Sequence, residues 1–203
     1  MRALRPQSLF VAAIVGVTAL SGTARADEPL RVTNAEVTVN CPLTIGGSFD
    51  AKTSALSGNV MVDPSGTLKG AFEVDLMKLE TGISLRDRHL RNNYLEVQKG
   101  AEYAVAKMEN IKVQHLGGKT TFTATLMVHG QQRPISGTAE VQQDGKGYRV
   151  DATFPVQISA FQIPAPTYLS VGVSDQISVH VVLNAAPAPR ATATTAASQP
   201  GTK

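Results

Sequence analysis

Five of the six side chains from Arg86 to Arg91 carry charge or can titrate: Arg86, Asp87, Arg88, His89 and Arg91. Arginine offers a planar fork of donors that matches phosphate and carboxylate oxygens, so the run is suited to an anionic group. The same residues also fit a solvated helix face, because Asp87 and Arg91 stand at i and i+4 and can pair there for a few tenths of a kcal/mol. Other chemistry finds little footing. His89, His115, His129 and His180 lie far apart, no H-x-x-x-H or H-E-x-x-H spacing occurs, and the single Cys41 adds no ligand cluster, so no metal site is expected. No G-x-S-x-G elbow is present, and no catalytic residue is assigned. His129, before a turn glycine, and His180, on the polar phase of a strand, read as strand-end or surface residues.

The charged run must be positioned by a helix set among strands. Ser84 can cap it, with Asp87 three residues on as an acidic capping box, and Ile83, Leu90, Tyr94 and Val97 recur at helical spacing as a face that seals one end of a β-domain. Around this helix, near residues 84–95, the period is two. Leu68, Gly70, Phe72, Val74 and Leu76 alternate with polar neighbours, as do Tyr148, Val150, Ala152, Phe154, Val156 and Ile158. Phe122, Ala124, Leu126 and Val128 repeat the pattern, and so do Ile177, Val179, Val181 and Leu183. Segments 32–39, 56–62 and 135–141 read similarly. Tyr103 to His115 changes phase, which predicts a bulge. About eight antiparallel strands result, joined by turns at Gly117-Gly118, His129-Gly130 and Asp144-Gly145. Period alone leaves barrel and sandwich open. An inward face rich in small residues, including Gly58, Gly70, Ala124 and Ala152, favours a hollow interior over a tight core.

The flanks are of different character. Arg2 and Arg5 precede an apolar run from Leu9 to Leu20, then Ala24-Arg25-Ala26, the form of a secretory signal cleaved before Asp27. About 12 apolar residues are too few for a membrane span, which needs roughly 20, so no span is expected once the signal is removed. Arg2, Arg5 and Arg25 are three of the 19 basic residues, so 16 basic side chains then face 16 acidic ones. The high pI of about 9.1 thus reports the signal, and the field needed for nucleic-acid binding is missing. Cys41 has no disulfide partner and reads as a small buried group, or as a free thiol able to pair with another protein. From Ala185 to Lys203 the chain is rich in Ala, Pro and Thr without periodicity, which reads as a disordered tail. Residues 27–184 suit one domain.

Three stretches carry a family resemblance. Thr81, Gly82, Arg86, Asp87, His89, Leu90 and Arg91, followed by Tyr94 and Tyr103, resemble the signature T-G-x-x-x-R-D-x-H-L-R of the YceI-like family. Leu56 to Gly66, with its Asp63-Pro64, and Leu126 to Ile135, ending in Arg133-Pro134, are similar to two further family segments. The chain departs from the family at Ile83-Ser84, where Asn-Ala is usual, and at Tyr94-Leu95, where Phe-Phe is usual. The resemblance implies an all-β, eight-stranded antiparallel lipocalin-like barrel in the periplasm, holding a long polyisoprenoid such as a polyprenyl phosphate or a quinone, and no enzyme. Its lumen would be lined by Phe72, Val74, Leu76, Phe122, Leu126, Phe154, Val156 and Ile158. Arg86, His89 and Arg91 would meet the headgroup. The isoprenoid is the expected partner, no cofactor is required beyond it, and either a monomer or a homodimer is compatible. The competing reading is an envelope stress or interaction module with a filled barrel.

Overall fold

The computed structural model describes residues 29–63, 65–168 and 171–188; the expected signal segment 1–26 and residues 189–203 of the expected tail lie outside them. Strands β1 (Leu30–Pro42), β2 (Ser48–Thr53), β3 (Leu56–Val62), β4 (Thr67–Asp75), β5 (Val105–Val113), β6 (Gly118–Val128), β7 (Gln131–Asp144), β8 (Gly147–Gln157) and β11 (Gln176–Pro187) form one antiparallel sheet. The pair β9 (Thr167–Tyr168) and β10 (Val171–Gly172) stands apart. The order β11-β8-β7-β6-β5-β4-β3-β1 closes on itself, because β1 pairs with β11 from Leu30 opposite Pro187 to Asn40 opposite Ser178. Closure removes the free edges of the ring. β2 extends β3 in the same register along β1, with Val37 opposite Thr53 and Leu30 opposite Val60. The two therefore share one of eight positions, and the domain is an eight-stranded antiparallel barrel.

Sequence period missed β2 because Ser48-Phe49-Asp50-Ala51-Lys52-Thr53 buries only Ala51 and Thr53. It anticipated the bulge in β5. Asn110 takes φ 54°, and across it the inward residues shift from Ala106 and Met108 to Ile111 and Val113. The strand itself starts at Val105, since Ala101–Ala104 is a helical turn, α2. β11 runs on to Pro187, and Ala185 is buried. Ala185, Ala186 and Pro187, assigned above to the tail, are thus strand residues that help close the ring.

The connections alternate between two ends. One end has short turns at 63–66, 114–117 and 145–146, whereas the other has the 43–47 loop, the long segments 76–104 and 158–175, and the His129-Gly130 turn. His129 and Gly130 have φ 52° and 68°, the left-handed pair that lets two residues join twisted strands. Segment 76–104 contains α1 (Ser84–His89), which passes into a wider π turn over Leu90–Tyr94. Among the described residues no helix is long and apolar enough to cross a membrane.

Candidate binding site

The barrel interior holds a partly open cavity of about 280 Å³. All eight residues expected in the lumen line it: Phe72, Val74 and Leu76 from β4 and its continuation, Phe122 and Leu126 from β6, and Phe154, Val156 and Ile158 from β8 and the residue after it. Among the described residues that line it, only Tyr94 and Tyr148 carry a side-chain N or O atom. Phe122 and Phe154 meet edge to face with centroids 6.0 Å apart. Gly137 makes that contact possible, since a Cβ there would lie 2.8 Å from the Phe122 ring and 2.7 Å from Phe154 Cβ. Among the small residues expected to leave room, Ala152 does line the cavity. Gly58 does not leave a void, because the Phe72 ring fills the space above it, and Gly70 is exposed at a break in the β4 register.

The cap closes the lumen through Leu76, Leu79, Leu90, Tyr94 and Leu95, with Ile163 and Val173 from the other long segment. Leu90, Tyr94 and Val97 lie inward as their spacing predicts, with Val97 buried and Leu90 and Tyr94 partly so. Ile83 departs from that face and is exposed, because the helix begins only after it: Ile83 is the N-cap, in extended conformation, and Ser84 makes no capping bond. Asp87 replaces the expected cap. Its buried carboxylate accepts from the Thr81 amide at 2.6 Å and the Thr81 hydroxyl at 2.6 Å, tying the helix to the residue before Gly82. Those bonds, the hydroxyl foremost, aided by the nearby Arg91 and Arg86 charges, hold its pKa below the ordinary carboxylate value.

The three expected headgroup residues are placed differently from one another. Arg86 donates from Nε to Thr81 Oγ1 at 2.9 Å and lies over the Phe49 ring at 4.3 Å. Arg91 donates to the Leu79 carbonyl at 3.0 Å rather than pairing directly with Asp87. His89 is exposed. None of the three lines the cavity, although Leu90 of the same run does. Cys41 lies beneath this corner, its thiol pushed up to about 11 by burial and by Asp50, against the Arg86 charge. It is therefore a protonated, packed side chain at neutral pH.

His129 was expected near the surface and is buried instead. Its Nδ1 bonds the Phe161 carbonyl at 3.0 Å, its Nε2 lies 3.2 Å from Glu96 Oε2, and Tyr103 meets its ring edge on at 4.9 Å. One imidazole thus joins both long segments of the cap to the β6–β7 turn. Nothing in the local sequence signals this, since both partners are more than 30 residues away. Among the described residues no group of three or more His, Cys, Asp or Glu side chains assembles as a metal site.

Solved structures share this architecture. A polyisoprenoid-binding domain from Saccharophagus degradans is 16% identical with a TM-score of 0.59, over 78% of this chain and 98% of that one. BcnA of Burkholderia cenocepacia is 17% identical with a TM-score of 0.61, over 74% and 95%. The YceI protein of Campylobacter jejuni is 17% identical with a TM-score of 0.51, over 70% and 85%. No curated protein sequence matches significantly. The family model of the YceI-like domain matches residues 21–185, and the chain belongs to the YceI-like family.

Proposed function

We propose that this protein is a periplasmic carrier that holds one long polyisoprenoid, a polyprenyl phosphate or a quinone, in the barrel lumen and performs no reaction on it. The observation that carries the reading is the partly open barrel cavity of about 280 Å³, whose lining among the described residues is apolar apart from two tyrosines. Its size lies just below the roughly 300 Å³ at which small-molecule pockets begin, and it accommodates one stretch of a narrow chain. A lining of this kind offers no site for a charge, because burying an unpaired ion is prohibitively costly, so the polar end belongs at the cap. Arg86, His89 and Arg91 are the residues proposed to meet it. Each buried methylene contributes about 0.8 kcal/mol before ordering costs, whereas an exposed ion pair contributes about 0 to 1 kcal/mol. The tail therefore sets affinity and the headgroup tunes selection. The signal-like sequence of residues 1–26 supports the periplasmic location, and the polyisoprenoid-binding domain of similar fold supports the ligand class.

The test is calorimetric titration of delipidated protein with a polyprenol and with the matching polyprenyl phosphate. Binding of both with a negative heat-capacity change is expected, as apolar burial requires. Changing Arg86 and His89 to Gln together should weaken the phosphate more than the alcohol. Binding of neither lipid would refute the carrier function, and an unchanged affinity ratio would remove the headgroup role from these residues.

A further inference from the structure

Apart from His89, the outward face of the cap helix has a composition that the proposed headgroup contact does not use. Leu85, Arg88, His89 and Asn92 stand at i, i+3, i+4 and i+7, and all four are exposed. Ile83 adjoins them, and both Ile83 and Leu85 expose 53% of their surface. This end of the barrel also carries Ile45, 67% exposed, and Met77, 56% exposed. Among the described residues it thus holds four of the six large exposed apolar side chains, the other two being Met61 and Leu116. Ile83 and Leu85, two residues apart on the cap, with Ile45 and Met77 at the same end of the barrel, are the candidate contact surface.

Charge identifies the occupant. The acid of the helix, Asp87, is turned inward and satisfied by Thr81, so the outward face presents basic Arg88 and titratable His89 without an acidic residue. Lys78 is exposed beside Met77, while Glu80, also exposed, is the acid of that stretch. Ile83 and Leu85 beside Arg88, on a helix face without an acid, suit the headgroup boundary of an anionic bilayer, where the aliphatic side chains enter the acyl margin and the guanidinium meets lipid phosphate, although Asp50, Glu80, Glu102 and Asp175 are exposed elsewhere on this end. A protein partner would more typically be met by a pocket with aromatic anchors. We infer that the Ile83–Asn92 face of the cap docks reversibly on anionic membrane surfaces. The inference is independent of what fills the lumen.

The test is sedimentation of the full chain with phosphatidylcholine vesicles, with and without phosphatidylglycerol. Association is expected with the anionic vesicles, weaker with neutral ones, and falling as salt rises. Arg88→Gln should lower association with anionic vesicles about fivefold, as the loss of one basic contact predicts, without changing the lipid that extraction recovers from the lumen. Ile83→Ser combined with Leu85→Ser should lower it at least about tenfold. Both sites are exposed, so circular dichroism should show an intact barrel; were the double variant to unfold, Arg88→Gln and the salt series decide alone. Failure to sediment, or association indifferent to phosphatidylglycerol and to Arg88→Gln, overturns the inference. So does a result in which these substitutions abolish cross-linking to an envelope protein while vesicle association is nil.

Discussion

His129 Nε2 lies 3.2 Å from Glu96 Oε2, joining a β6–β7 turn to the cap 33 residues earlier in the chain. The imidazole's other nitrogen bonds the Phe161 carbonyl, so a single buried ring fastens both long segments over one mouth of the lumen. Replacing it with Ala leaves the Phe161 carbonyl without this partner and releases Glu96. His129→Ala should cost about 2 kcal/mol, the range for a lost buried polar contact, and lower Tm by roughly 4–8 °C in a domain of this size. Amide exchange should rise over 90–104 and 159–163, while the β6–β7 ladder stays protected. Uniform exchange across the barrel would contradict a latch confined to the cap.

Acid should loosen the same junction. The Lys99 hydrogen bond foremost, then the Lys99 charge and the His129 contacts, hold the Glu96 pKa below the ordinary carboxylate range. Its stabilising contribution is therefore fully present above about pH 4.3, the unfolded value, and is lost as pH falls through the lower folded value. In Glu96→Gln the decline of Tm between roughly pH 5 and pH 3 should be shallower than in the parent. An unchanged slope would show that Glu96 contributes nothing to acid stability.

Strand periodicity was legible wherever one face of a strand is apolar and the other wet, as in Tyr148 to Ile158 and Ile177 to Leu183. It failed at β2, where pairing to β1 rather than side-chain pattern makes the strand. Lumen residues followed from the same alternation, because the pleat of a closed ring sends every second side chain inward. The polar contacts of the cap were illegible. Asp87 reaches back to Thr81 instead of forward to Arg91, and His129 is buried by two segments that only the closed fold brings together.

The end of β11 gives a sharp truncation boundary. Ala185, Ala186 and Pro187 lie opposite Val32, Arg31 and Leu30 at the seam of the ring, and Ala185 is buried. Stopping the chain after Asn184 should lower Tm by more than about 4 °C, the shift for about 1–2 kcal/mol. Stopping after Ala188 should change it by less than about 2 °C, since residues 189–203 are rich in Ala, Pro and Thr and have no apolar periodicity to bury. Equal losses would show that the last 15 residues also support the barrel.

The central claim is that the lumen holds a lipid chain, and native mass spectrometry of protein purified from its own host tests it most directly, with Ala152→Phe as the comparison. Ala152 lines the cavity wall, so a ring placed there occupies volume that a chain would need. The parent should carry an added mass that organic extraction releases as an isoprenoid lipid, and the folded variant should carry none. An empty parent, or a variant that retains the same adduct, would contradict lumen binding.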